Sequence, residues 1–555
     1  MKFYPYLPLG VSLIASLSLT SCIDDSYDLS DIDTTVKVQV NDLTVPVNID
    51  AITMKSILNL KEDGIVREVD GVYAVIQDGT FTSEDIEISP FVIVTPDPAP
   101  ASVKIPNPGN GQFPIATPMI QFTATGENVS ECIIDIESAT TMATIELTNS
   151  ITGANSTSAT IENAVYRLPK GLTATSSDGV YDPETGLFTC SAPQSFSKTI
   201  TLDVSAIDLH KAGATFDAEN HRIDFNTSFG IVSGTVALSS GAPAEIEVSS
   251  SFHLSEIKAT SLTGVIDYRI QGVEVTNVTL DNLPDILTDE NTDITILNPQ
   301  IYLSIFNPLN SHNVYASSGA TIISYHGDTP YATFSPEPNI FRTGVGSADG
   351  YYNFCMAPKA TSFVDYPDAT FVPFSSLSRV LSGNGLPSLL TVELDDPRFP
   401  NQHVAGFPLG INLGKADGRY TFLAPLAFGA GSRIVYTDHI DGWGSEDLDH
   451  MVITDLHIKA IISTDIPIDL NFTGYPIDAE GNQIDGVTIE GGVVPANAKD
   501  HELHLHITGE IHRLDGIRFS AVATDDGSDS ALAPGMTITL TNIRPTVSGY
   551  YENEL

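Results

Sequence analysis

Few stretches of this chain carry residues able to do chemistry, and the richest is His501-Glu-Leu-His-Leu-His506. Read as a strand, it sets Glu502, His504 and His506 on one face and Leu503, Leu505 and Ile507 on the other, because successive side chains alternate. Two imidazoles at i and i+2 with a carboxylate form a donor set for zinc, and His512 is placed to return on a following strand. The same alternation also describes the wet face of an outer sheet. That plainer reading is adopted, with no resident metal or other cofactor, and Glu502, His504 and His506 stand as the candidate ligands.

The second constellation is Asp438-His-Ile-Asp-Gly-Trp-Gly-Ser-Glu-Asp-Leu-Asp-His450, which holds the chain's single tryptophan. Gly442 and Gly444 flank Trp443 and would let its indole project from a loop, with Asp441, Glu446 and Asp447 at the rim. An aromatic face with carboxylates around it is how proteins hold sugars. The alternative is that Trp443 plugs a junction between domains while the acids face water.

Catalytic signatures are missing. The sequence contains no Gly-x-Ser-x-Gly elbow, no phosphate-binding Gly-x-x-x-x-Gly-Lys loop, no His-Glu-x-x-His and no Cys-x-x-Cys. His501-Glu-Leu-His504 falls one residue short of the metalloprotease spacing. The acidic turn Asp525-Asp-Gly-Ser-Asp529 lacks the calcium-loop register and reads as a turn. No catalytic residue is assigned, and the chain is expected not to be an enzyme.

The start of the chain gives the location. Lys2, an apolar run from Leu7 and Leu19-Thr-Ser-Cys22 precede a cluster of acids, and the run, which carries Pro8, is shorter than the roughly 20 apolar residues that span a bilayer. The tetrapeptide resembles the lipobox of bacterial lipoproteins. That resemblance implies removal of residues 1–21 and acylation of Cys22, with each buried methylene contributing about 0.8 kcal/mol to anchoring. Asp24, Asp25, Asp28, Asp31 and Asp33 look like the acidic export signal that sends lipoproteins of the Bacteroidota to the outer face of the outer membrane. Residues 22–35 read as a tether, whose dozen or so extended residues reach on the order of 40 Å. Asp33-Thr34-Thr35 and Asp529-Ser530-Ala531 are similar to the O-glycosylation acceptor of Bacteroides, which would place glycans on Thr34 and Ser530.

Composition limits the partners. The 555 residues carry a formal charge of −45, and loss of Lys2 with the signal leaves 24 bases against 70 acids. A field of that sign repels phosphate backbones, so nucleic acid is excluded as a partner. Apart from Cys22 the cysteines are Cys132, Cys190 and Cys355, an odd set that argues against a disulfide framework, although a bridge between Cys132 and Cys190 stays open.

The elements that must position these residues are strands. Val36, Val38 and Val40 alternate with polar residues, as do Ala143, Ile145 and Leu147; Ile200, Leu202 and Val204; Ile246 and Val248; Leu456, Ile458 and Ala460. Leu297-Asn-Pro-Gln-Ile-Tyr-Leu-Ser-Ile-Phe-Asn-Pro-Leu309 is a strand closed by Asn-Pro turns, and it resembles those of the immunoglobulin-like late-embryogenesis-abundant domains. Short helices are expected near Ile52–Leu60 and over Phe374–Gly383, the latter with Ser375 as its N-cap. Seven prolines between Pro96 and Pro118 read as a linker.

The chain is therefore expected to be all-β, with tandem antiparallel, immunoglobulin-like sandwiches and one or two short helices. The expected blocks are a β domain over 36–95, the linker at 96–118, sandwiches over 119–263 and 264–450, and a last sandwich over 451–555. With the lipobox and tether, the whole looks like β-rich surface lipoproteins of Bacteroidales, a resemblance that implies display at the cell exterior and no particular activity. The function expected is non-catalytic binding or adhesion at the outer membrane, towards a glycan or a cell-surface protein. A structural spacer in a surface assembly is the alternative, ahead of a glycoside hydrolase.

Overall fold

Alternation decides the fold. In the computed structural model, which describes residues 35–44, 50–60, 64–109, 111–239, 244–275, 277–280, 282–336, 340–443, 448, 451–524 and 531–554, the apolar members of the alternating runs at 143–147, 200–204 and 246–248 are all buried. Each Val, Leu or Ile among them contributes about 1.5–3 kcal/mol when taken from water. Among the described residues the strands form sheets of 6, 10, 11, 7 and 6 members. Pairing is antiparallel throughout, except where Tyr351–Ala357 runs parallel to Thr370–Pro373.

The sheets pack as sandwiches, so the expected all-β class holds. Phe122 and Phe229 of the 10-stranded sheet meet Phe252 of the 11-stranded sheet, with ring centroids 5.4 and 5.3 Å apart. Further along, Phe341 of the same 11-stranded sheet meets Phe354 of the 7-stranded sheet at 5.5 Å. The two 6-stranded sheets enclose the apolar faces of Met451–Thr464 and His501–Ile511 on one side and of Asp469–Ile477 and Gly516–Thr524 on the other. The 20-residue strand Leu389–Pro408 belongs to two cores, burying Leu390 and Val392 in one and Phe399, Val404 and Phe407 in the other.

Connectivity departs from the tandem arrangement. Residues 36–95 make no domain of their own: Thr35–Thr44 pairs with Thr537–Glu554, and Val72–Thr82 lies inside the 7-stranded sheet beside Asp417–Pro425. Its Tyr73, Val75 and Phe81 complete a core built by Ile301, Leu303, Phe354 and Phe422. The main pair within 36–95, Val66–Val69 with Val72–Thr82, is a hairpin, which alone is marginally stable at best. The boundary at 263/264 falls within the strand Ser261–Arg269, which joins Ile133–Thr152 to Leu389–Pro408. The boundary at 450/451 is also displaced, because Arg433–Ile440 pairs with Gly516–Thr524 and so belongs to the last sandwich.

The 96–118 segment is not a linker. Ala101–Pro106 pairs with Glu245–Leu254, and Gly111–Ile115 pairs with Arg222–Leu238. Each has a single partner strand, and an edge strand tolerates proline because its outer side needs no ladder donor. The Phe374–Gly383 helix is a 3-10 segment, Ser375–Leu381, with Phe374 rather than Ser375 at the cap position. The other expected helix is a single turn, Met54–Ile57, whose N-cap Thr53 accepts from the Ser56 N–H at 3.2 Å. Gln300–Phe306 is a strand as expected, and Asn307 Oδ1 closes its end by accepting from the Leu309 N–H at 2.9 Å.

Among the described residues, fourteen of the sixteen non-glycine positions with left-handed φ are Asn or Asp. These side chains tolerate that conformation, so part of the chain's acid does turn work rather than ligand work.

The edge-strand reading of 96–118 has a direct test, since Lys104 sits within Ala101–Pro106. Limited trypsinolysis of the folded protein should spare the Lys104–Ile105 bond until global unfolding. Early cleavage there would restore the linker.

Candidate functional site

The histidine face forms as the alternation requires. Leu456, Ile458 and Ala460 of Met451–Thr464 and Leu503, Leu505 and Ile507 of His501–Ile511 point into the sandwich. Asp455, His457 and Lys459 therefore share the outer face with Glu502, His504 and His506. Register then decides which of them meet: His457 lies opposite His506, Lys459 opposite His504, and Glu490 of Thr488–Glu490 flanks His506 on its other side.

Only part of the sequence-level ligand set is brought together. Residues i and i+2 on one strand stand about 6.6–6.8 Å apart along it, whereas directly opposed residues on neighbouring strands have Cβ atoms about 5 Å apart. His506 accordingly leaves His504 and joins His457, their rings parallel to within 9° and 4.0 Å apart. Asp455 sits between them, with His457 Nε2 at 3.0 Å from Oδ2 and His506 Nε2 at 2.7 Å from Oδ1. His504 and Glu502 are exposed and 3.9 Å from one another, and His512 stands 3.8 Å from Glu510 away from the cluster. Asp455, His457 and Glu490 escaped the sequence reading. Asp455-Leu-His457 has the same period as the His504-Leu-His506 run, but the register that pairs the two is not written in either.

Trp443 is not a platform. Its side chain is 5% exposed and packs in the core cluster that includes Leu448 and Leu514. The loop is pinned by Asp515, whose carbonyl accepts from the Trp443 N–H at 2.7 Å and whose Oδ2 accepts from the Gly442 N–H at 3.1 Å. Backbone contact there is close: a Cβ on Gly516 would stand 2.1 Å from the Ile440 carbonyl oxygen. Gly442, whose place beside Trp443 suggests a projecting loop, leaves the indole turned inward. Asp441 is exposed beside His439, with 3.4 Å from Oδ2 to Nε2, while Glu446 and Asp447 lie outside the described residues. So do Cys22, Thr34, Ser530, the tether acids and the 525–529 turn.

An open cleft of about 450 Å³ lies elsewhere, lined by Asp78, Thr80, Asp365, Tyr366, Arg419 and Thr421. Arg419 stacks over the buried Tyr366 ring, 4.8 Å from its centroid, and donates to the Asp365 carbonyl at 2.8 Å. Tyr366 in turn stacks on the buried Tyr302, so this wall of the cleft is core.

The remaining nucleophiles are quiet. Cys132, Cys190 and Cys355 are free thiols, and no bridge joins the first two. Burial pushes the Cys190 thiol up to about 12 and raises Cys132 and Cys355 as well, which keeps all three protonated near neutrality.

No protein family and no curated protein matches the chain. Solved structures similar to it include that of a candidate secreted protein from Parabacteroides distasonis, 16% identical, with a TM-score of 0.38 over 52% of this chain and 90% of that one. Among the described residues no helix is long and apolar enough to cross a membrane.

Burial of Trp443 sets a test. Trp443→Ala should cost about 3–5 kcal/mol in denaturant unfolding, the range for emptying a buried aromatic site. Unchanged stability with loss of saccharide binding on a glycan array would return the indole to the surface.

Proposed function

We propose that the chain is a non-catalytic surface module, acylated at Cys22 and held at the outer membrane, whose sandwiches act as a stiff spacer that carries the first sandwich outward to a cell-surface partner. One observation carries this reading. The strand that follows the tether, Thr35–Thr44, is paired along its length with the last strand, Thr537–Glu554. That pairing supports a reading in which the last sandwich is the one tied to the anchor and the block that contains Ile133–Thr152 lies further from it. Leu389–Pro408 runs through both cores and stiffens the join.

The spacer gains over saccharide binding because the aromatic side chain that favoured a sugar is inside the core. A hydrolase would have to rest on the Asp78–Asp365 cleft. Both residues are exposed there, and Asp78 is engaged by the Thr421 hydroxyl. The acidic residues after Cys22 support display on the outer face.

The experiment is membrane fractionation with protease shaving of intact cells. Cys22→Ser should move the protein out of the membrane fraction, while Asp24→Ala with Asp25→Ala should keep it membrane-bound and hide it from external protease. A Cys22→Ser protein that still sediments with the outer membrane would sink the anchor and the reading with it.

A further inference from the structure

We propose that Asp455, His457 and His506 form a binding site for one divalent ion of the zinc class on the outer face of the last sandwich. Among the described residues these three form the one cluster whose nitrogen and carboxylate ligand atoms all lie within 4.8 Å of one another. Two neutral imidazoles and a carboxylate suit zinc, whereas calcium and magnesium take shells of oxygen. Copper(II) fits the same donors and by intrinsic affinity binds them more tightly.

The geometry is close to that of a bound ion. Around a tetrahedral zinc with bonds near 2.0–2.1 Å, neighbouring ligand atoms stand about 3.4 Å apart. The Asp455 carboxylate is already 3.0 Å from His457 Nε2 and 2.7 Å from His506 Nε2. The rings are stacked 4.0 Å apart and parallel to within 9°, so the side chains must tilt for both Nε2 atoms to face one ion, and their part-exposed position leaves room for that tilt. An ion would then take the place of direct contact between the two Nε2 atoms and the Asp455 carboxylate.

The surroundings support the assignment. Glu490 Oε2 stands 3.8 Å from His506 Nδ1, so a shift of this exposed side chain by less than about 1 Å brings it into hydrogen-bond range of the Nδ1 proton, which leaves Nε2 free for the metal. Carboxylates placed behind a ligating imidazole in this way orient it and raise its basicity. The scaffold is stiff, because all four residues sit on paired strands whose alternate side chains are locked in the core. Three protein ligands at a part-exposed face leave a fourth position for water or for a ligand from a partner. By contrast His504 faces Lys459 across the strands, and that charge opposes a cation.

The test is calorimetric titration of zinc into the full mature chain in detergent micelles, without an affinity tag and after chelator treatment. The wild type should take up one zinc per chain with micromolar or tighter affinity, and its melting temperature should rise with zinc. His457→Ala and His506→Ala should each weaken binding by about tenfold or more, and Glu490→Gln by a factor nearer ten. His504→Ala should leave it unchanged. Circular dichroism and melting without metal check that each variant folds, which part-exposed side chains on an outer face allow. No saturable uptake by the wild type would overturn the proposal. So would uptake that survives the His457→Ala/His506→Ala double variant, or a loss as large with His504→Ala as with His506→Ala.

Discussion

The strand Leu389–Pro408 is the constraint on which the rest depends. One half pairs with Ser317–His326 and lines one core; the other half pairs with Ser261–Arg269 and lines another. A strand buried in two places at once fixes the relation between two sandwiches by backbone hydrogen bonds rather than by a linker. The first sandwich cannot swing freely on its neighbour, because a hinge there would break ladder pairs in the middle of an 11-stranded sheet. That stiffness supports the proposed spacer.

The second constraint is closure by the N-terminal strands. Val72–Thr82 enters the 7-stranded sheet beside Asp417–Pro425, more than 300 residues later, and Thr35–Thr44 completes the edge beside Thr537–Glu554. Pairings so distant in sequence carry a high loop-closure cost and form slowly. The last sandwich is therefore completed only once Thr537–Glu554 is available to pair with Thr35–Thr44.

Period and punctuation were legible in the sequence, and partnership was not. Ala143, Ile145 and Leu147 announced a buried face, and the Asn-Pro pairs around 298 and 307 closed their strand as turn chemistry requires. Nothing in Val36, Val38 and Val40 said that their partner was residues 549–553. Prolines at 106 and 114 looked like a linker because donor loss is visible in sequence, while the edge position that makes it harmless is not. The candidate site failed in the same way. The outer face of His501–Ile511 was legible, but the ion-sized cluster is set by the register between His457 and His506. Trp443 shows the limit from the other side, since flanking glycines fix the freedom of a loop and not the direction of its side chain.

The central claim is that the last sandwich sits next to the membrane and the first is held away from it. The direct measurement is energy transfer from single fluorophores to acceptors in the lipid, with the chain anchored in vesicles and Cys132 replaced by serine. Val493, 57% exposed in the last sandwich, and Val180, 70% exposed in the first, are the positions to convert to cysteine and label. The account predicts markedly stronger transfer from the label at 493 than from the one at 180. Equal transfer, or the reverse order, would contradict it.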